Sequence, residues 1–327
     1  MPKEKQPPYK LLAFDLETSM VFPDGFEASR WRELRPLGIS CLALYPTPPD
    51  TPRVFHGSEQ IDGTIARRMS PGHVRNVVKY LWDYTRRGYS IVTWNGLNFD
   101  FDILAEEAED ATARKACEVM AMAHIDIAFA MLCSKGYMIG LDAAAKGLGV
   151  EGKPVGMKGS MAPLLWRQSR KNQERILAYV AQDARATFQV YHRIIERKRL
   201  PWISKRGLPH YWEPELIDGR LLTVSEANGL DKPETAWMTN PLTREACYAW
   251  INRDNIPQLA PLVAPAPIEY PSKVTLHLDD AHARLALRTY AALIRPEHPT
   301  EAEQLVEAIM HYGGYSNVRK ELSSSSS

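Results

Sequence analysis

Two carboxylates sit inside an otherwise apolar strand pattern near the start of the chain. In YKLLAFDLET, Leu12, Phe14 and Leu16 alternate with Asp15 and Glu17. The run has the β-rich composition of a buried strand. Side chains two apart on a strand share a face, so Asp15 and Glu17 point one way and the three large apolar residues the other. The fold must therefore bury this strand and still present both acids together.

Two later segments carry matching acids. SIVTW, then Asn95-Gly96, then FDFDILAEEAED reads as strand, turn and helix start, with Asp100 near the first helical turn. In QERILAYVAQDARATFQVYHRIIERK, Ile176, Val180, Val190 and Ile194 recur at helical intervals. Tyr179 and Asp183 are four apart there, so they are neighbours on one helix face. Each piece alone has an ordinary explanation: a turn carboxylate, a helix-start acid favoured by the helix dipole, a core tyrosine beside a solvated acid. The ordered combination is far more specific. Oxygen-only carboxylate clusters suit pairs of hard divalent cations, which stabilise attack of water on a phosphodiester.

The motifs FDLET, WNGLNFD and YVAQD, in that order, resemble those of the DEDD-superfamily 3′–5′ exonucleases, closest to the proofreading domains of family-B DNA polymerases. The resemblance spans about residues 9–199, and GLDAAAKGLGVEGKP is similar to the family's stretch between its second and third motifs. It implies an RNase H-like α/β fold, a mixed sheet flanked by helices. It implies Asp15, Glu17, Asp100 and Asp183 as ligands of two Mg2+ or Mn2+ ions. Ala178 stands where one subclass has histidine, and Tyr179 fits the tyrosine subclass, with the phenol orienting the attacking water. A free tyrosine, with a pKa of about 10, is a poor base at neutral pH. The pattern assigns the ligand role to Asp100 and leaves Asp102 as a partly exposed first-turn acid. Asp126 is expected to be supporting or structural, and His124 packed or at the surface, since hard cations seldom need imidazole. Thr18, Trp94, Asn95, Phe99 and Lys158 are the expected substrate contacts.

The 327-residue length suits about two parts. The expected organisation is a disordered lead at 1–8, the exonuclease domain at 9–200, an α-rich extension of unassigned role at 201–322, and a serine tail at 323–327. Within the extension a proline-rich linker precedes helices at about 278–294 and 299–312, and Trp202, Trp212 and Trp237 are expected to pack in a core. Net charge is +1, so no global field marks a nucleic-acid binder. Local basic rims are expected instead at Arg167, Arg170, Lys171 and Arg175, and at Arg193, Arg197, Lys198, Arg199, Lys205 and Arg206. Cys41, Cys117, Cys133 and Cys247 have no zinc spacing. They read as reduced thiols of a cytoplasmic protein. The chain shows no signal peptide and no apolar run of the ~18 residues that a membrane span requires.

The function expected is metal-dependent 3′–5′ exonucleolysis of DNA, single-stranded ends in particular, by a stand-alone protein whose extension offers a surface for a protein partner. The alternatives are an exoribonuclease, or a non-catalytic subunit that binds DNA ends.

Overall fold

The computed structural model describes residues 9–47, 51–152 and 159–252. The elements in chain order are β1 (Lys10–Thr18), a 3-10 segment (Ala28–Leu34), β2 (Ile39–Pro46), β3 (Arg53–His56), α1 (Pro71–Arg86), β4 (Tyr89–Thr93), α2 (Asp100–Glu107), α3 (Ala111–Ala123), β5 (Ile125–Asp126), α4 (Ile127–Lys135), α5 (Leu141–Leu148), α6 (Ala162–Trp166), α7 (Arg170–Arg197), β6 (Leu200–Ile203), β7 (Pro209–Trp212), two paired dipeptides (Leu216–Ile217 and Arg220–Leu221), α8 (Val224–Asn228) and α9 (Arg244–Cys247). Lys153, Lys158, the lead at 1–8 and everything expected beyond 252 lie outside the described residues.

Five strands form one sheet in the order β3-β2-β1-β4-β5. β1 is central: it pairs antiparallel with β2 and parallel with β4. A central strand needs both faces covered, and the alternation in KLLAFDLET supplies them. Leu12, Phe14 and Leu16 join the larger apolar cluster with Leu42, Leu44, Val77, Leu81 and Phe101. Ala13, Cys41, Ala43 and Tyr45, on the other face, meet Ile176, Val180 and Ala184 of α7. Small residues on that sheet face let the long helix lie close.

Capping chemistry sets several boundaries. Ser70 accepts the amide of His73 at the start of α1, with Pro71 in the first turn. Ser169 does the same for Asn172 at the start of α7. α7 ends at Lys198, which adopts a left-handed φ of 52°. The sequence shows α7 and the strands β1 and β4 closely; the two-residue β5 and the β6–β7 hairpin are seen in the structure alone.

Residues 200–252 share the larger core. Trp202, Trp212, Val224, Cys247 and Trp250 are all in it. Trp237, in contrast, is 70% exposed. All four cysteines are free and buried. Among the described residues no helix is long and apolar enough to cross a membrane. β6 runs tightly over α5: a Cβ placed on Gly147 would lie 1.6 Å from the carbonyl oxygen of Pro201. Helix propensity alone favours alanine over glycine by about 1 kcal/mol. The close approach predicts the opposite: Gly147→Ala loses roughly 1–3 kcal/mol or more by overpacking. Urea denaturation checks this, and an equal or higher midpoint would refute the packing of β6 on α5.

Candidate active site

β1 carries Asp15 and Glu17 to one face of the sheet, and α7, lying on that face, brings Asp183. One carboxylate oxygen from each of the three lies within 4.8 Å of the others. Glu17 and Asp183 are buried and Asp15 is half-buried. Cys41, opposite Glu17 in the ladder, is buried beside them. Burial pushes its thiol pKa up, and the charges of Glu17 and Asp15 add to the effect.

Asp100 arrives from the other side of β1. The ladder between β1 and β4 covers Lys10 to Ala13 and stops there. Further along, the Leu16 N–H, between Asp15 and Glu17, donates to Asp100 Oδ1 at 3.1 Å. Asp100 thus caps the unpaired part of β1 through the residue between the two strand acids, and it stands outside the group of three that lies within 4.8 Å. It is buried, and desolvation raises its carboxyl pKa well above the usual range. The Leu16 N–H pulls in the other direction, and the charge of Asp126 pushes further up.

The turn that delivers Asp100 is held by its neighbours. Asn95 has a left-handed φ of 69°, a conformation asparagine tolerates better than most residues. The Asp126 carboxylate accepts the amides of Asn95 and Leu97, both at 2.9 Å, and also caps α4 through Phe129 N–H. Burial raises Asp126 to about 6 despite these bonds. His124 is packed beneath: Nε2 lies 2.9 Å from Thr93 Oγ1 and Nδ1 2.7 Å from the Ala121 carbonyl. Desolvation lowers its pKa to about 3, so the ring is neutral. Asp126 and His124 fill the structural places the sequence indicates.

Asp102 departs from expectation. It is 1% exposed, not a partly exposed acid. Arg32 Nε and Nη2 donate to its Oδ2 at 3.1 and 3.0 Å, and Arg35 pairs with its Oδ1. Both guanidinium groups also lie over the Trp31 ring, at 4.4 and 5.0 Å. The physical reason is the long excursion between β1 and β2, which folds back and covers α2. The RWRELR spacing shows the arginines but carries no signal of where they land.

Tyr179 is fully buried one turn before Asp183. A Cβ on Gly159 would sit 3.7 Å from its hydroxyl, which places the phenol beside the chain leading into α6. The expected substrate contacts are tied into the protein's own frame. Trp94 Nε1 donates to the Ile139 carbonyl at 3.1 Å. Asn95 Oδ1 accepts from Asn98 at 3.4 Å, and the Phe99 ring meets Trp31 edge-on. Thr18 is buried, its carbonyl accepting from the Ser40 hydroxyl.

The two basic clusters separate. Arg167 donates to the Ser19 carbonyl at 2.8 Å, next to the end of β1 and hence near the acids. Arg170 is paired with Glu59 and Glu174. The second cluster lies at the far end of α7, roughly 20 Å along the helix from Asp183. The intervening Phe188 packs on Tyr45, toward the start of β1, so Arg193 and Arg197 are carried away from the acids along the helix.

Sheet order, central acids and the helix across them fit one architecture. Residues 57–195 match a model of the RNase_H superfamily. The fold is RNase H-like. Among curated proteins none matches the chain. The matched span includes Asp100, Tyr179 and Asp183, and the chain supplies Asp15 and Glu17 just before it. An RNase H-like domain points to nuclease-type chemistry on a nucleic acid, and such nucleases typically use divalent metals. The donor set fits that use: hard carboxylate oxygens, buried and crowded enough that a cation would relieve them.

The raised carboxyl groups give this site a pH signature. Asp126 has a folded pKa of about 6, above its unfolded value near 4, and Asp100 is raised too. Between those values the native state binds more protons than the unfolded state, so these two groups cost stability as pH rises through the window. A divalent cation held by Asp100 would compete with its proton. The rise in Tm caused by Mg2+ should therefore grow between pH 5.5 and 8, and Asp100→Asn should flatten that growth. Calorimetric scans at fixed ionic strength measure it; an increment independent of pH in the wild-type protein contradicts the assignment.

Proposed function

We propose that this chain is a metal-dependent 3′–5′ exonuclease acting on DNA ends, single-stranded ends in particular. The observation that carries the reading is the convergence of Asp15, Glu17 and Asp183 within 4.8 Å, with Asp100 tied to the same strand through Leu16. Those four carboxylates would hold two Mg2+ or Mn2+ ions. When bound, such ions supply Lewis acidity and neutralise charge for attack of water on a phosphodiester. Glu17 and Asp183, fixed on a central strand and a long helix, set the site without the cost of ordering a loop. Tyr179, one turn before Asp183, orients the attacking water through its hydroxyl. Trp94 and Phe99, half-buried beside the turn, offer ring faces for a terminal base. Lys158 is assigned a phosphate contact. Residues 9–200 carry the nuclease machinery in this reading, residues from 200 to 252 complete its core, and the extension is open to a partner protein.

A 3′-end assay on single-stranded DNA, duplex DNA and RNA, with Mg2+ and with chelator, tests the proposal. Stepwise shortening from the 3′ end that requires the metal is expected, fastest on single-stranded DNA. No degradation of any of the three refutes it, and a preference for RNA moves the assignment to an exoribonuclease. Asp100→Ala should lose more than the ~10–100-fold typical of supporting residues. Asp102→Ala should instead lower stability by about 1–3 kcal/mol, because Arg32 and Arg35 lose their shared acceptor, while the folded fraction keeps most of its activity. The reverse pattern in these two variants would shift the second motif by two residues. Tyr179→Phe removes only a hydroxyl and should slow single-turnover cleavage by roughly 10²–10⁴, with metal affinity kept. A wild-type rate would reduce Tyr179 to a core residue.

A further inference from the structure

The Asn95–Phe99 turn has little regular structure of its own, yet its backbone polar groups are satisfied almost one by one from outside. Gly96 N–H goes to Thr93 Oγ1. The amides of Asn95 and Leu97 go to Asp126. The Asn98 carbonyl receives Arg32 Nη2 at 3.0 Å. The Leu97 carbonyl receives the indole N–H of Trp250 at 2.8 Å, in a buried bond across 153 positions of sequence. Leu97 is therefore clamped on both sides, its N–H by one side chain and its C=O by another.

Trp250 is in turn fixed in place. It is 9% exposed. Arg114 Nη2 donates to its carbonyl at 3.0 Å, and the N–H of Asn252, two residues on, donates to the buried Glu118. Just before it, Arg244 is buried and donates to four carbonyls, of Cys133, Asn228, Leu230 and Asp231. An anchored donor aimed at a carbonyl three residues before a metal-site acid is how supporting groups fix the orientation of ligands.

We propose that Trp250 is a positioning residue: its indole N–H holds the Leu97 carbonyl so that the turn delivers Asp100 to Asp15, Glu17 and Asp183. This gives the residues after 200 a part in the site, and it rests on the metal-site reading above. Trp250 acts through Leu97 on Asp100.

The experiment compares Mn2+ binding by calorimetry and cleavage kinetics in the full-length wild type, Trp250→Phe and Trp212→Phe. Trp212 is more deeply buried than Trp250, and its indole N–H has no hydrogen-bond partner among the described residues. It therefore controls for loss of indole bulk. Trp250→Phe should weaken Mn2+ binding by roughly 10–100-fold and speed amide exchange across residues 95–101. Trp212→Phe should do neither, even where both lower Tm alike. Equal weakening in the two variants, or none in either, overturns the proposal. If Trp250→Phe does not fold, the wild type still decides, because linkage is reciprocal. Mg2+ should then slow exchange of the Trp250 indole N–H, and an unchanged rate overturns the proposal. A wild type that binds no Mn2+ at all would instead bring down the metal-site reading and this inference with it.

Discussion

Mutual repulsion among the carboxylates at the end of β1 is the force that the surrounding structure has to resist. Two full charges within 4.8 Å of one another would repel by roughly 3 kcal/mol or more at an effective dielectric of about 20. Apolar packing holds them there. Ile176 and Val180 are fully buried between α7 and the sheet, and burying such a side chain contributes about 1.5–3 kcal/mol. The seam of α7 on Ala13 and Ala43 is thus of the same order as the repulsion beside it. Asp100 has a separate reason to hold its proton, since burial and then the charge of Asp126 raise its pKa.

The acids themselves were the most legible part of the sequence. Strand alternation put Asp15 and Glu17 on one face, and helical spacing put Tyr179 beside Asp183. Both rules are local, and the structure follows both. What stayed hidden depends on contacts between distant segments. Nothing near Asp102 indicates that Arg32 and Arg35 cover it, so its burial could not be read from the chain. Nothing near Trp250 points to Leu97. Charge runs misled for a related reason: Arg193 to Arg206 is as basic as the earlier cluster, but the length of α7 carries it away from the acids. A run of cations specifies a charge, and only the fold specifies where that charge faces.

The Asn95–Phe99 turn shows how irregular backbone can be made as determinate as a strand. Water is replaced there by side chains that satisfy the peptide groups one or two at a time, so few orphan donors remain to pull the segment elsewhere. Asp126 does double service, capping α4 and bracketing the turn, which couples the end of β5 to the acid on α2. A site assembled this way tolerates little local adjustment, because moving Leu97 disturbs partners in two other segments.

The shortness of the outer strands has a consequence for assembly. β3 has four residues and follows Pro52, and β5 has only two. A chain adding to either edge would find a ladder too brief to compensate for its own ordering, and the proline offers no amide to bond. Sheet extension into filaments is thereby discouraged at both borders. A second protein that engages this face of the molecule has to recognise side chains and shape rather than borrow the backbone pattern of the sheet.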